Sequence, residues 1–127
     1  MNEASTKSVL IIDDDPGMLR ALEKTLSNDG FVVSRATWVR EGIQELMHHS
    51  KPFDLVITDL RMPKASGLMI LHAVKSAYPS VPVIIMTAYG QPDLTPEWWK
   101  EQGAAAYLEK PIGAALLLET VHRVVNG

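Results

Sequence analysis

With 127 residues, 46% of them hydrophobic and 21% charged, the chain has room for one globular domain with a core and too little for two. A net charge of −3 argues against direct nucleic-acid binding, and the absence of cysteine excludes disulfides and thiolate metal sites. No apolar run approaches the ~20 residues that cross a bilayer. The polar opening MNEASTK lacks the apolar stretch of a signal peptide, so a cytoplasmic chain without membrane contact is expected, residues 1–7 being a polar tail.

The first apolar run, Val9-Leu10-Ile11-Ile12, predicts a strand that closes on Asp13-Asp14-Asp15. Asp15 can cap the helix that follows, with Pro16 in its first turn. That helix buries Leu19, Leu22 and Leu26 and ends at Asn28-Asp29-Gly30. Phe31-Val32-Val33 begins a second strand that runs to about Thr37 and offers no catalytic group. Val39, Ile43, Leu46 and Met47 then mark a second helix face.

Leu55-Val56-Ile57 predicts a third strand, closed by Asp59. Ile70, Leu71, Val74, Ala77 and Tyr78 fit a third helix. Val83-Ile84-Ile85-Met86 predicts a fourth strand, closed by Thr87. Gly90, Pro92 and Pro96 punctuate the next stretch, so only Thr95 to Gln102 can form a short helix, ended by Gly103. Ala105 to Leu108 predicts a fifth strand that runs into Glu109-Lys110-Pro111. Leu117, Val121 and Val124 mark the last helix.

This is a (βα)5 pattern. Most of its strands are continuous and β-branched, as in a parallel sheet buried on both faces, so a doubly wound α/β fold is expected. Trp98 and Trp99 are adjacent, about 100° apart on a helix, so at least one is expected to be exposed. The consecutive Leu116, Leu117 and Leu118 cannot all be buried either. His48, His49, His72 and His122 show no metal spacing and read as solvated helix residues. Met62 and Met69 read as packing residues.

Ligands of open parallel sheets bind at the carboxyl ends of the strands. There the chain places Asp13, Asp14, Asp59, Thr87 and Lys110, drawn from four different strands. Each alone is an ordinary cap or turn residue; together on one edge they make a site. Clustered carboxylates suit a hard divalent cation such as Mg²⁺. A lysine and a threonine beside them suit phosphoryl oxygens, and an aspartate can itself become an aspartyl phosphate. Neither a GxGxxG nor a GK[ST] loop is present.

From about Ser8 to about Val125 the pattern closely resembles the receiver domains of two-component response regulators, through IIDDD at 11–15, DLRMP at 59–63, TAYG at 87–90 and YLEKP at 107–111. The wording of DLRMP and TAYG is most like receivers of the nitrogen-regulator kind. The resemblance implies one receiver domain over 1–127, with a flavodoxin-like strand order 2-1-3-4-5. It implies Asp59 as phosphoacceptor and Mg²⁺ or Mn²⁺ held by Asp13, Asp14, Asp59 and the backbone carbonyl of Arg61. It also implies Thr87 and Lys110 as phosphoryl partners and a cis bond before Pro111. Thr87 and Tyr107 would form the switch, and Asp15 aligns with a non-ligand position. The implied donor is a sensor histidine kinase or phosphotransfer protein. The implied output is a homodimer or effector contact through the face of the fourth helix, fifth strand and fifth helix, where Trp98 and Trp99 would sit.

In receivers, the residues two past the acceptor and two past the threonine screen the phosphoryl group from water; here they are Arg61 and Tyr89. Two other readings compete: a binding module that takes no phosphate, and a Mg²⁺-dependent phosphohydrolase with an aspartyl nucleophile. The second would need an aspartate two residues past Asp59, where Arg61 stands.

Overall fold

The computed structural model describes residues 7–62, 65–88 and 95–126, with backbone alone at 61–62 and 65–66. The 1–6 part of the polar tail, Tyr89 and the Gly90–Leu94 stretch lie outside the described residues, as do the side chains of Arg61 and Met62.

In chain order the elements are β1 (Ser8–Ile12), α1 (Pro16–Asn28), β2 (Val32–Ala36), α2 (Val39–His48) and β3 (Leu55–Asp59), then α3 (Gly67–Ala77), β4 (Val83–Ala88), α4 (Pro96–Glu101), β5 (Ala106–Lys110) and α5 (Ala114–Asn126). Between β3 and α3, Arg61–Met62 pairs antiparallel with Ala65–Ser66 in a separate two-residue ladder. The main sheet is parallel, in the order β2-β1-β3-β4-β5. This is the expected doubly wound 2-1-3-4-5 arrangement.

Period-2 alternation along the strands builds two cores. Leu10, Ile12, Val56, Val83 and Ile85 face α2, α3 and α4, together with Val39, Leu46, Ile70, Leu71, Val74 and Trp99. Val9, Ile11, Leu55, Ile57, Ile84 and Met86 face α1 and α5, together with Leu19, Leu22, Leu26, Leu117 and Val121. Continuous apolar strands arise because both faces are covered. β2 differs. It is an edge strand, and Val32 is 54% exposed.

The ends of α1 follow the sequence. Asp15 Oδ1 accepts hydrogen bonds from the Gly17 N–H at 2.9 Å and the Met18 N–H at 3.4 Å. Gly30 adopts φ +99° after the helix, and Gly103 adopts φ +106° after α4. Both are left-handed positions that an L side chain strains to adopt. The bond between Lys110 and Pro111 is cis, as expected.

Several side chains depart from their expected places. In α2 the buried stripe is Val39, Gly42 and Leu46, while Met47 is 69% exposed at the last turn. A Cβ at Gly42 would lie 2.6 Å from Ile12 Cδ1, so α2 seats directly on β1 at that point. Met69 is 51% exposed, because Ile70 and Leu71 take the buried side of α3. His49 follows α2 and is half-buried against Phe53, their ring centroids 4.1 Å apart.

The largest correction concerns the tryptophans. Trp99 is fully buried and Trp98 is half-buried on the same core, so neither forms an exposed patch. Their rings meet edge-on at 5.0 Å and 89°. The six-residue α4, capped by Thr95 Oγ1 accepting from the Trp98 N–H at 3.0 Å, lies low enough for Trp98 to rest its flank on the core. Among the three leucines, Leu116 is exposed, Leu117 buried and Leu118 half-buried, as the helix period requires.

Trp99→Ala is expected to lower the unfolding free energy by about 3–5 kcal/mol, and Trp98→Ala by clearly less. Urea unfolding of both variants checks this. Equal losses would contradict a core role belonging to Trp99 rather than to the pair.

Candidate functional site

Because every strand of the main sheet points the same way, their carboxyl ends share one edge. Asp13 continues β1 past its last residue, its N–H donating to the Ala36 carbonyl at 3.1 Å. Asp59 closes β3 opposite Met86, and on β4 and β5 Thr87 lies opposite Glu109 and Ala88 opposite Lys110. The register therefore delivers two carboxylates, a hydroxyl and an ammonium to the same depth.

Asp13, Asp59 and Thr87 are buried; Asp14 is exposed. One carboxylate oxygen from each of Asp13, Asp14 and Asp59 lies within 4.8 Å of the others. Asp13 is held at both oxygens: Oδ1 accepts from the Asp15 N–H at 2.9 Å, and Oδ2 accepts from Lys110 Nζ at 2.7 Å. Lys110 Nζ is also 3.4 Å from Asp59 Oδ2. Burial pulls the Lys110 pKa down. The hydrogen bond to Asp13 and the charges of Asp59 and Asp13 outweigh that, so the net shift is upward.

One ammonium faces three carboxylates, and the excess negative charge fits a small cation. The donors are hard oxygens on rigid strand ends, as Mg²⁺ or Mn²⁺ requires, and a thiolate-preferring metal has nothing to bind. Arg61 opens the short ladder two residues past Asp59.

The Thr87 hydroxyl donates to the Ala88 carbonyl at 3.5 Å and lies close enough to the Tyr107 phenol to act on its pKa; Tyr107 is half-buried beside the first core. Burial raises the Tyr107 pKa most, the Glu109 charge raises it further, and the nearby Thr87 hydroxyl lowers it. Thr87 and Tyr107, the expected pair, thus lie near each other on β4 and β5. Of the tryptophans expected on a partner face, Trp99 is buried in the core and Trp98 is half-buried against it.

Gly67 was not singled out by its sequence, yet the site depends on it. Its N–H donates to the Leu60 carbonyl at 2.8 Å. A Cβ there would collide with the backbone carbonyl oxygen of Asp59. The start of α3 thus packs against the backbone of the acceptor candidate. The only hint in sequence is a glycine at the start of a helix, eight residues past Asp59.

Lys110 holds its proton more tightly in the folded chain than in the unfolded one. Its contribution to stability is therefore complete below the ordinary lysine range and disappears as pH rises through the higher folded value. Lys110→Met is expected to be less stable than the wild type at neutral pH, with the gap closing on the alkaline side. Urea midpoints of both chains across that range check this. A gap that stays constant into strong alkali would contradict the ion pair as its source.

The family model of the response regulator receiver domain matches residues 9–122. The transcriptional regulatory protein GlrR of Escherichia coli (strain K12) is 35% identical over 114 residues, which cover 89% of this chain and 25% of that protein. Response regulator protein FleR of Pseudomonas aeruginosa is 37% identical over 119 residues, covering 94% of this chain and 24% of that protein. The DNA-binding transcriptional regulator NtrC of Proteus hauseri is 32% identical over 119 residues, again 94% and 24%. The chain thus spans about a quarter of the length of these curated relatives. Among solved structures, a response regulator receiver domain protein from Clostridium thermocellum superposes with a TM-score of 0.87 at 34% identity, covering 94% of each chain. The chemotaxis protein CheY4 of Vibrio cholerae gives a TM-score of 0.84 at 30% identity, covering 94% of this chain and 99% of that one. The strand order, the acid cluster at the strand ends and these matches agree: the chain belongs to the receiver domains of two-component response regulators.

Proposed function

We propose that Asp59 accepts the phosphoryl group from a phosphohistidine on a sensor histidine kinase or phosphotransfer protein, and that residues 1–127 act as one receiver unit. The observation that carries this reading is the position of the Asp59 carboxylate. It lies within ion-pair distance of Lys110 and within metal-sharing distance of Asp13 and Asp14.

Asp59 attacks phosphorus in line with the P–N bond. The P–O bond to the carboxylate forms as the P–N bond breaks. The histidine nitrogen keeps the electron pair and leaves as neutral imidazole, its second ring nitrogen carrying the proton. Asp13, Asp14, Asp59 and the Arg61 carbonyl would hold Mg²⁺ or Mn²⁺, which when bound neutralises charge on the phosphoryl oxygens. Lys110, already between Asp13 and Asp59, supplies the protein's own cation to those oxygens.

The product adds roughly −1.5 to −2 charge at the end of β3. A phosphoryl oxygen then draws the Thr87 hydroxyl away from the Ala88 carbonyl it now faces. That movement of Thr87 beside Tyr107 frees Tyr107 to repack, and with it the face made by α4, β5 and α5. Output passes through that face to an effector or a second copy, with no direct nucleic-acid or membrane contact by this domain. Among the described residues, no helix is long and apolar enough to cross a membrane. The chain works as a signalling domain, catalysing only its own phosphorylation and dephosphorylation. An aspartyl phosphohydrolase is disfavoured because Arg61 stands where its acid/base aspartate would be needed.

Incubation with radiolabelled acetyl phosphate and Mg²⁺ is expected to label the wild-type chain and to leave Asp59→Asn unlabelled. Full incorporation into Asp59→Asn would overturn the assignment.

A further inference from the structure

The connection from β2 to α2 holds a side chain that the phosphoryl chemistry does not use. Trp38 is 53% exposed on a rigid mount. Glu41 Oε1 accepts from the Thr37 N–H at 2.6 Å and from the Thr37 hydroxyl at 3.0 Å, and the Trp38 carbonyl accepts from the Gly42 N–H at 2.9 Å. Beside this mount is a groove of about 390 Å³ whose walls include Pro16, Arg20, Arg35, Thr37 and Glu41. Arg35 is tied to Glu23 at 3.0 Å. Arg20 has no ion-pair partner among the described residues.

A single exposed hydrophobic residue needs no explanation; its location gives this one a use. Pro16 opens α1 directly after the acid cluster, so the groove adjoins the mouth of the site. β2 is two strands from β3, a lateral distance of about 10 Å. A protein donor that sets its phosphorus above Asp59 and covers the ~800 Å² usual per partner reaches about 16 Å from that point. Such a body cannot avoid the β2–α2 connection. A tryptophan has few rotatable bonds and its backbone here is already held, so covering it loses little entropy, and tryptophan is prominent among residues that dominate binding energy.

We propose that Trp38 and the adjoining groove dock the protein that presents phosphohistidine to Asp59. Trp38 is the apolar anchor, and Arg20 meets a carboxylate of that partner. The inference rests on the function proposed above and names the surface through which the donor is recognised.

Two donors separate the two ideas. The first is acetyl phosphate, too small to reach Trp38. The second is the autophosphorylated cytoplasmic fragment of a sensor histidine kinase, chosen from those of the source genome as the one that labels the wild-type chain fastest. With acetyl phosphate, wild type, Trp38→Ala, Arg20→Glu and Met47→Ala are expected to label at the same rate. With the kinase fragment, Trp38→Ala is expected to raise KM about tenfold or more at unchanged kcat. Trp38→Phe recovers most of that loss, and Arg20→Glu raises KM to a smaller extent. Met47→Ala, equally apolar and exposed but at the far end of α2, changes nothing. An unchanged KM for Trp38→Ala overturns the proposal. So does an equal loss with both donors, which would mark a structural role. A dimer seen by sedimentation that Trp38→Ala abolishes would assign the patch to a second copy and overturn it too. Failure of the wild-type chain to take label from acetyl phosphate refutes the proposed function itself, before the kinase arm is read.

Discussion

The ion pair between Lys110 and Asp13 is the contact on which the site depends. Asp13 is fully buried, and a carboxylate there without a counter-charge would cost several kcal/mol. Its partner lies 97 residues away, on β5. Between β1 and β5 in the sheet stand β3 and β4. Lys110 therefore reaches Asp13 across the end of the strand that carries Asp59, and its ammonium comes to rest against both acids. The pair forms only if four strands are in register, so assembly of the site and folding of the sheet are one event.

Compensation is partial by construction. One ammonium neutralises Asp13 and touches Asp59, and Asp14 is left facing solvent. On the proposed function, that remaining negative charge would draw in a divalent cation, and with it a phosphoryl group that needs charge neutralisation on its oxygens. The same edge pairs a rigid floor with an adjustable rim. Asp13 is tied by its backbone to Ala36 and Asp59 sits in register with Met86, whereas the Thr87 hydroxyl has only a 3.5 Å bond to the Ala88 carbonyl, which a new anion on Asp59 would contest beside Tyr107. On the proposed function, a change in charge at Asp59 would reach the α4–β5–α5 face through Thr87 and Tyr107.

How much of this was legible in sequence depends on what each residue's environment required. The acids and Lys110 could be found because parallel strands put their ends on one edge whatever the packing details. Asp15, Gly30 and Gly103 could be found because caps and left-handed turns are local chemistry. Trp98 and Trp99 were misjudged because helix period alone says that neighbours diverge, not how deep a six-residue helix sits on the sheet. Met47 and Met69 were misjudged for a related reason: at helix ends the buried stripe narrows, and Gly42, Ile70 and Leu71 already fill it. Gly67 and Trp38 escaped altogether. One matters through a backbone approach and the other through exposure, and neither leaves a periodic trace.

The most direct measurement is a crystal structure of the chain with Mg²⁺ and beryllofluoride, a stable stand-in for the phosphoryl group. The account predicts beryllium on the Asp59 carboxylate, fluorines accepting from Lys110 Nζ and the Thr87 hydroxyl, and the metal on Asp13, Asp14 and the Arg61 carbonyl. Asp59 without an adduct under saturating beryllofluoride, or an adduct that leaves Lys110 wholly on Asp13 and the Thr87 hydroxyl on the Ala88 carbonyl, would contradict it.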